Sequence, residues 1–132
     1  MADLFLDTTA VIDWLIGRAE VAGWLEARLL EGADLAIGPI TFAEVLGGIG
    51  PESRPAVRAN LEKLTWVPMT QDIAAKAGEL FWDHERHGTR LPFPDLLQAA
   101  SALLTDRTVV TSNLRHFGDV PAIDPRSSKG CT

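Results

Sequence analysis

Four oxygen-bearing side chains fall where chain geometry would let them work on one ion. Asp7 follows the apolar run Leu4-Phe5-Leu6, Glu44 ends Thr41-Phe42-Ala43-Glu44, and Asp95 ends Leu91-Pro92-Phe93-Pro94-Asp95. Asn113 comes just after the β-branched run Arg107-Thr108-Val109-Val110-Thr111. Carboxylate and amide oxygens, with no cysteine or paired-histidine motif, are hard donors and suit Mg²⁺ or Mn²⁺. Such an ion supports phosphodiester cleavage, because it lowers the pKa of a bound water and offsets charge on the phosphate. Each residue also has a structural reading. Asp7 can cap the helix after it, Thr41 and Glu44 match a capping box, Asp95 suits the positive end of a helix, and Asn113 forms turns.

The elements that must position these residues read in order along the chain. Leu4–Leu6 and Leu35–Ile37 are short continuous apolar runs, as expected of strands covered on both faces. Trp66-Val67-Pro68-Met69 predicts a brief strand that Pro68 confines to an edge or an end. Arg107–Thr111 is a fourth strand, and Val120-Pro121-Ala122-Ile123 a last one. Helical stripes separate them: Val11, Ile12, Leu15 and Ile16, ended near Gly17; Val21, Trp24, Leu25 and Leu29, ended by Gly32; Val57, Leu61 and Leu64 on a cover helix restarted by Pro51. Thr70 should cap a helix through about His87, with Ile73, Ala74, Ala77, Leu80 and Phe81 as its core face. Pro94 is expected at the first position of a helix whose buried stripe is Leu96, Leu97, Ala100, Leu103 and Leu104. Asp95 shares a face with Gln98 and Ala99, small enough below the carboxylate for another element to pack close.

Strands alternating with helices predict an α/β domain with a mainly parallel sheet. In that arrangement strand ends and helix starts gather at one edge, outside which ligands bind. Every structural reading above therefore delivers its residue to the same edge, with Glu44 and Asp95 in first turns. Three carboxylates there would repel one another unless a cation joined them.

The chain has 132 residues, 46% of them apolar, and suits one domain over residues 1–125 with a polar tail over 126–132. No apolar run approaches the ~20 residues of a membrane span, and Met1-Ala2-Asp3 lacks the features of a secretory signal. The one cysteine, Cys131, has no internal partner, which predicts a reducing cytoplasm. A net charge of −6 argues against a nucleic-acid partner only if its carboxylates are unneutralised.

The segments LFLDTTAVIDWL, TFAEVLGGI, LPFPDLLQAASALL and VVTSNLRHF, in that order and spacing, resemble a PIN-domain ribonuclease of the VapC toxin type. The resemblance covers nearly the whole chain. It implies a three-layer α/β/α fold with a central, mainly parallel sheet of four to five strands. It further implies Mg²⁺- or Mn²⁺-dependent endonucleolytic cleavage of RNA, a homodimer, and a cognate VapB-type antitoxin. Asp7, Glu44 and Asp95 match the family's first three acids and are the expected metal ligands and catalytic residues, with Asn113. The fourth acid of the family commonly stands where this chain has Asn113 or His116, and neither is acidic, which favours one ion over two. Thr8 and Thr111 are expected to support the ligands or their waters, and Arg90, Arg115 and His116 to approach RNA phosphates. Two rivals remain: a phosphotransfer domain with Asp7 as nucleophile, which wants an acid where Thr9 stands, and an inactive PIN-like scaffold that dimerises and binds a partner.

Overall fold

The computed structural model describes residues 3–127. The expectations for Met1, Ala2, Cys131 and most of the polar tail lie outside the described residues. Five strands, β1 (Leu4–Leu6), β2 (Leu35–Ile37), β3 (Thr65–Trp66), β4 (Thr108–Val110) and β5 (Ala122–Ile123), form one sheet in the order β3-β2-β1-β4-β5. All four pairings are parallel, with Leu4 opposite both Leu35 and Thr108. β3 lies at an edge, as Pro68 requires.

Side chains alternate across the pleat and build two cores. Phe5, Ala36 and Val109 face α5 (Gln71–Arg86) and α6 (Phe93–Leu104). Leu4, Leu6, Leu35, Ile37 and Val110 face α1 (Thr8–Leu15), α2 (Ala19–Leu30), α3 (Pro39–Gly47) and α4 (Arg54–Leu61). The result is three layers, α/β/α. No helix of the described residues is long and apolar enough to cross a membrane.

The chain lays β1, β2 and β3 outward in one direction, then returns through α5 and α6 to place β4 on the other side of β1. The strand order therefore reverses between β1 and β4, and such switch points open a crevice at the carboxyl ends of the strands. Asp7 lies just past β1 and its N–H bonds the Val110 carbonyl at 3.1 Å across this switch.

Several local expectations need correction. α3 begins at Pro39, with Gly38 as its cap, rather than at a Thr41 cap. Pro39 supplies the preset backbone angle of a first helical position, and a side chain at Gly38 would crowd the Val67 carbonyl at 3.1 Å. Thr41 is instead fully buried, its hydroxyl 3.0 Å from the Leu6 carbonyl and 3.1 Å from Gln98 Oε1. No capping box forms, and Glu44 lies in the second turn, not the first. In α6 the first helical residue is Phe93, so Pro94 occupies the second position. The buried face of α6 is Leu96 and Gln98–Ala102, while Leu104 is exposed. This face is made of small residues because α6 packs against both α5 and α3. The stripe expected of α1 is mostly outside: Val11 is buried, but Ile12, Leu15 and the cap residue Ile16 are exposed. Ala74 of α5 is exposed as well, whereas Ile73, Ala77 and Leu80 are core and Thr70 caps the helix as expected, accepting from the Ile73 N–H at 3.1 Å. The Arg126 guanidinium is held by Asp124 and approaches the Ser112 carbonyl.

Candidate active site

Asp7 is 4% exposed and is anchored by three donors. The Thr9 hydroxyl and the Ala10 N–H donate to Oδ1 at 2.6 and 3.0 Å, and the Thr111 hydroxyl donates to Oδ2 at 2.5 Å. One oxygen of Asp7 caps α1, as the cap reading expects, and the other reaches across the switch to the residue after β4. Burial pushes the Asp7 carboxyl above its ordinary range; the Thr111, Thr9 and Ala10 donors pull it down, and the negative charge of nearby Asp95 pushes it up again. A buried carboxylate under the charge of a second carboxylate is a site that a cation would relieve.

Asp95 lies in the first turn of α6. Its Oδ2 is 2.5 Å from Nδ1 of His116, which sits in the short 3₁₀ helix Leu114–Phe117. The Asn113 amide nitrogen is 2.9 Å from the same ring nitrogen. With its hydrogen directed to Asp95, Nδ1 is a donor, and Asn113 is then its neighbour rather than a donor to it. Phe117, 1% exposed, plugs the core beside His116 and fixes this turn to α6. Asn113 is held through its own N–H, which donates to the Thr111 hydroxyl oxygen at 2.9 Å.

Glu44 is exposed, and its Oε1 accepts from the Thr8 hydroxyl. Because α3 starts at Pro39, Glu44 is one full turn further along than a capping residue and meets α1 at Thr8, next to Asp7. The three acids therefore do not converge on a point. Asp95 is near enough for its charge to act on Asp7, and Glu44 stands beside Asp7 on Thr8. Among the described residues no three His, Cys, Asp or Glu side chains form a ready-made metal cluster.

The PIN-domain family model matches residues 4–123, all five strands included. The chain belongs to the PIN-domain family. Ribonuclease VapC10 of Mycobacterium tuberculosis is 31% identical over 114 residues, which cover 86% of this chain and 85% of that protein. A toxin–antitoxin complex from Klebsiella pneumoniae contains a chain 28% identical with a TM-score of 0.75, over 94% of this chain and 98% of that one. VapBC-1 from nontypeable Haemophilus influenzae, 22% identical over 94% of this chain and 98% of that chain, shares the fold at a TM-score of 0.81.

In this PIN domain the basic residues near the site, Arg90, Arg115 and His116 expected at RNA phosphates among them, have different surroundings. Arg90 is paired with Glu85 at 2.7 Å in the loop before α6, and His84 with Asp119 at 2.6 Å. His116 lies on Asp95. Arg115 is exposed. Two residues at the site carried no signal in the sequence. Thr9 bonds Asp7 and accepts from the Ser112 N–H at 2.9 Å, tying α1 to the end of β4. Arg126 brings a guanidinium to Ser112 from beyond β5. Both contacts with Ser112 join residues far apart in the chain, where no periodicity can report them.

Proposed function

We propose that this PIN domain is the toxin ribonuclease of a VapBC-type module, a divalent-cation-dependent endoribonuclease that a cognate antitoxin restrains. The observation that carries the reading is the buried Asp7 carboxylate at the β1/β4 switch point, under the charge of nearby Asp95. The donor set fits a hard cation: all its free donors are oxygens, and Mg²⁺ keeps several waters while taking one or two carboxylates plus substrate phosphate. Asp7 and Asp95 would hold the ion, with Glu44 reached through water and the Asn113 amide at its side; Mn²⁺ would serve the same donors.

When bound, the ion activates a water and neutralises phosphate charge. The chain's own residues do the rest. Thr111, Thr9 and the Ala10 N–H keep Asp7 from rotating, and His116 does the same for Asp95. Glu44, exposed and steadied by Thr8, orients the attacking water and takes its proton. Attack at phosphorus opposite the 3′-oxygen breaks the P–O3′ bond, and the leaving oxygen takes a proton from solvent, which leaves 5′-phosphate and 3′-hydroxyl ends. Arg115, which is exposed, and Arg126, whose guanidinium approaches the Ser112 carbonyl, would meet RNA phosphates.

The antitoxin reading is supported by an apolar hollow of about 480 Å³ that lies away from the carboxylates, lined by Val11, Trp14 and Leu15 of α1, Leu29 of α2, and Leu61 and Leu64. Ile12, Ile16 and Leu30 are large apolar side chains left exposed as well. A homodimer in the cytoplasm completes the proposal. The rival reading is an inactive scaffold that dimerises and binds a partner. RNA cleavage titrated with Mg²⁺ and Mn²⁺ separates the two. Cleavage that needs the ion and is lost in Asp95→Ala supports the nuclease; no cleavage at any ion concentration supports the scaffold.

A further inference from the structure

Asp7, Glu44 and Asp95 stand on three different elements, the end of β1, α3 and α6, and the packing of those elements sets the spacing of the acids. One buried polar cluster joins all three elements. The hydroxyl of fully buried Thr41 on α3 lies 3.0 Å from the Leu6 carbonyl and 3.1 Å from Oε1 of Gln98, which is buried on α6. Each member is a short step from an acid: Leu6 immediately precedes Asp7, Thr41 comes three residues before Glu44, and Gln98 three residues after Asp95. Three residues along a helix is about one turn, so Thr41 shares a face with Glu44, and Gln98 with Asp95. The one hydroxyl hydrogen serves both acceptors. With the Gln98 amide turned over, its N–H donates to Thr41 and the O–H goes wholly to Leu6, so the relay holds in either arrangement. Apolar side chains of the same shape can replace both partners of a buried hydrogen bond at little cost, so stability alone does not ask for polar groups here. What they add is direction. Apolar contacts are non-directional and let packed helices slide, whereas a hydrogen bond weakens steeply once misaligned.

We propose that Thr41 is a positioning residue for the carboxylate site: its hydroxyl, shared between Leu6 and Gln98, sets the spacing at which Asp7, Glu44 and Asp95 take a divalent ion. The inference rests on the metal reading given under Proposed function. Thr41 acts through the backbone of β1 and through α6, not by touching the ion. Asp7 is anchored by its own three donors. Loss of the Thr41 hydroxyl therefore leaves Asp7 in place and frees α3 and α6, which pack on each other, to shift Glu44 and Asp95 against it. Groups that orient metal ligands from outside typically contribute about 10–100-fold to metal affinity or activity, and Thr41, one step further out, belongs at the lower end.

The test is Mn²⁺ affinity, measured by calorimetric titration of the purified full chain without RNA, well below the Tm of each protein. Thr41→Val removes the hydroxyl and keeps the shape, and is expected to weaken Mn²⁺ binding about tenfold. Thr41→Ser restores the hydroxyl and is expected to stay within about twofold of the parent. Combining Thr41→Val with Gln98→Met leaves no buried amide unpaired; it carries the same expectation as Thr41→Val and replaces it if that variant does not fold by circular dichroism. Ile73→Val, which truncates a core side chain of α5, is the loosened control and is expected to bind Mn²⁺ as the parent does. Parental affinity in Thr41→Val or in the double variant would overturn this inference and leave the metal reading intact. A loss in Thr41→Ser or in Ile73→Val as large as in Thr41→Val would overturn it as well, because the hydroxyl would then not be the cause. No binding by the parent would overturn the metal reading and this inference together.

Discussion

Thr111→Val tests whether the Asp7 carboxylate is held, ionised, by the end of β4. Thr111 is fully buried; its hydroxyl donates to Asp7 Oδ2 at 2.5 Å and accepts the Asn113 N–H at 2.9 Å. Valine keeps the shape and removes both bonds. A hydrogen bond to a charged group contributes about 1.5–3 kcal/mol and an abandoned buried donor costs about 1–3, so with some relaxation the loss should be about 2–4 kcal/mol. For 132 residues the unfolding entropy is about 0.28 kcal/mol per degree, which converts the loss to a fall in Tm of about 7–14 °C. Thr111→Ser, which keeps the hydroxyl, should stay within about 1 kcal/mol of the parent. The assay is thermal unfolding followed by circular dichroism without added ions, across pH. A carboxyl whose folded value is raised above its usual 3.8 favours the fold when protonated. That contribution is full below 3.8 and is lost as pH climbs through the folded value. Removing the Thr111 donor raises the value further, so the gap between variant and parent should widen with rising pH. A Thr111→Val protein within about 0.5 kcal/mol of the parent near neutral pH would refute the reasoning, since no buried charge would then depend on that hydroxyl.

Other perturbations probe neighbouring parts of the account. An ion at 100 times its Kd adds about 2.7 kcal/mol, so saturating Mn²⁺ should raise the parent's Tm by about 10 °C and leave Asp7→Asn within about 2 °C; an equal rise in both proteins would place the ion elsewhere. At the opposite end of the sheet the Thr65 hydroxyl, and after it Arg107, hold the Asp34 carboxyl below its usual value. Its stabilisation is present above 3.8 and is lost as pH falls through the lowered folded value, so Asp34→Asn should flatten the acid limb of the Tm profile; an unchanged limb would count against the pairing. Arg115→Ala and Arg126→Ala should each weaken RNA binding and lower the salt slope by about 0.7, the single-strand value for one phosphate contact; an unchanged slope would remove that residue from the RNA surface.

Much of the site was legible because its residues sit where local rules place them. Asp7 ends a buried strand and caps a helix, Asp95 follows a proline-led entry, and Asn113 follows a β-branched run; parallel topology then carries all three to one edge. Where the sequence carried two competing signals, the reading went wrong. Thr41-x-x-Glu44 fits a capping box, but Pro39 two residues earlier is an equally good helix start, and it wins because Thr41 is needed inside, against Leu6 and Gln98. The α1 stripe has helical periodicity, yet periodicity does not say whether an apolar face meets a core or is left exposed, as Leu15 and Ile16 are. The contacts of His116 with Asp95 and of Thr9 with Ser112 depend on tertiary placement, and no local pattern encodes them.

The central claim is that Asp7 and Asp95 share one divalent ion at the carboxyl edge between β1 and β4. Anomalous diffraction from crystals soaked in Mn²⁺ tests it most directly. The account predicts one peak per chain in contact with carboxylate oxygens of both Asp7 and Asp95, and its loss in Asp7→Asn crystals. Well-ordered carboxylates with no peak between them at saturating Mn²⁺, or a peak held by other residues, would contradict it.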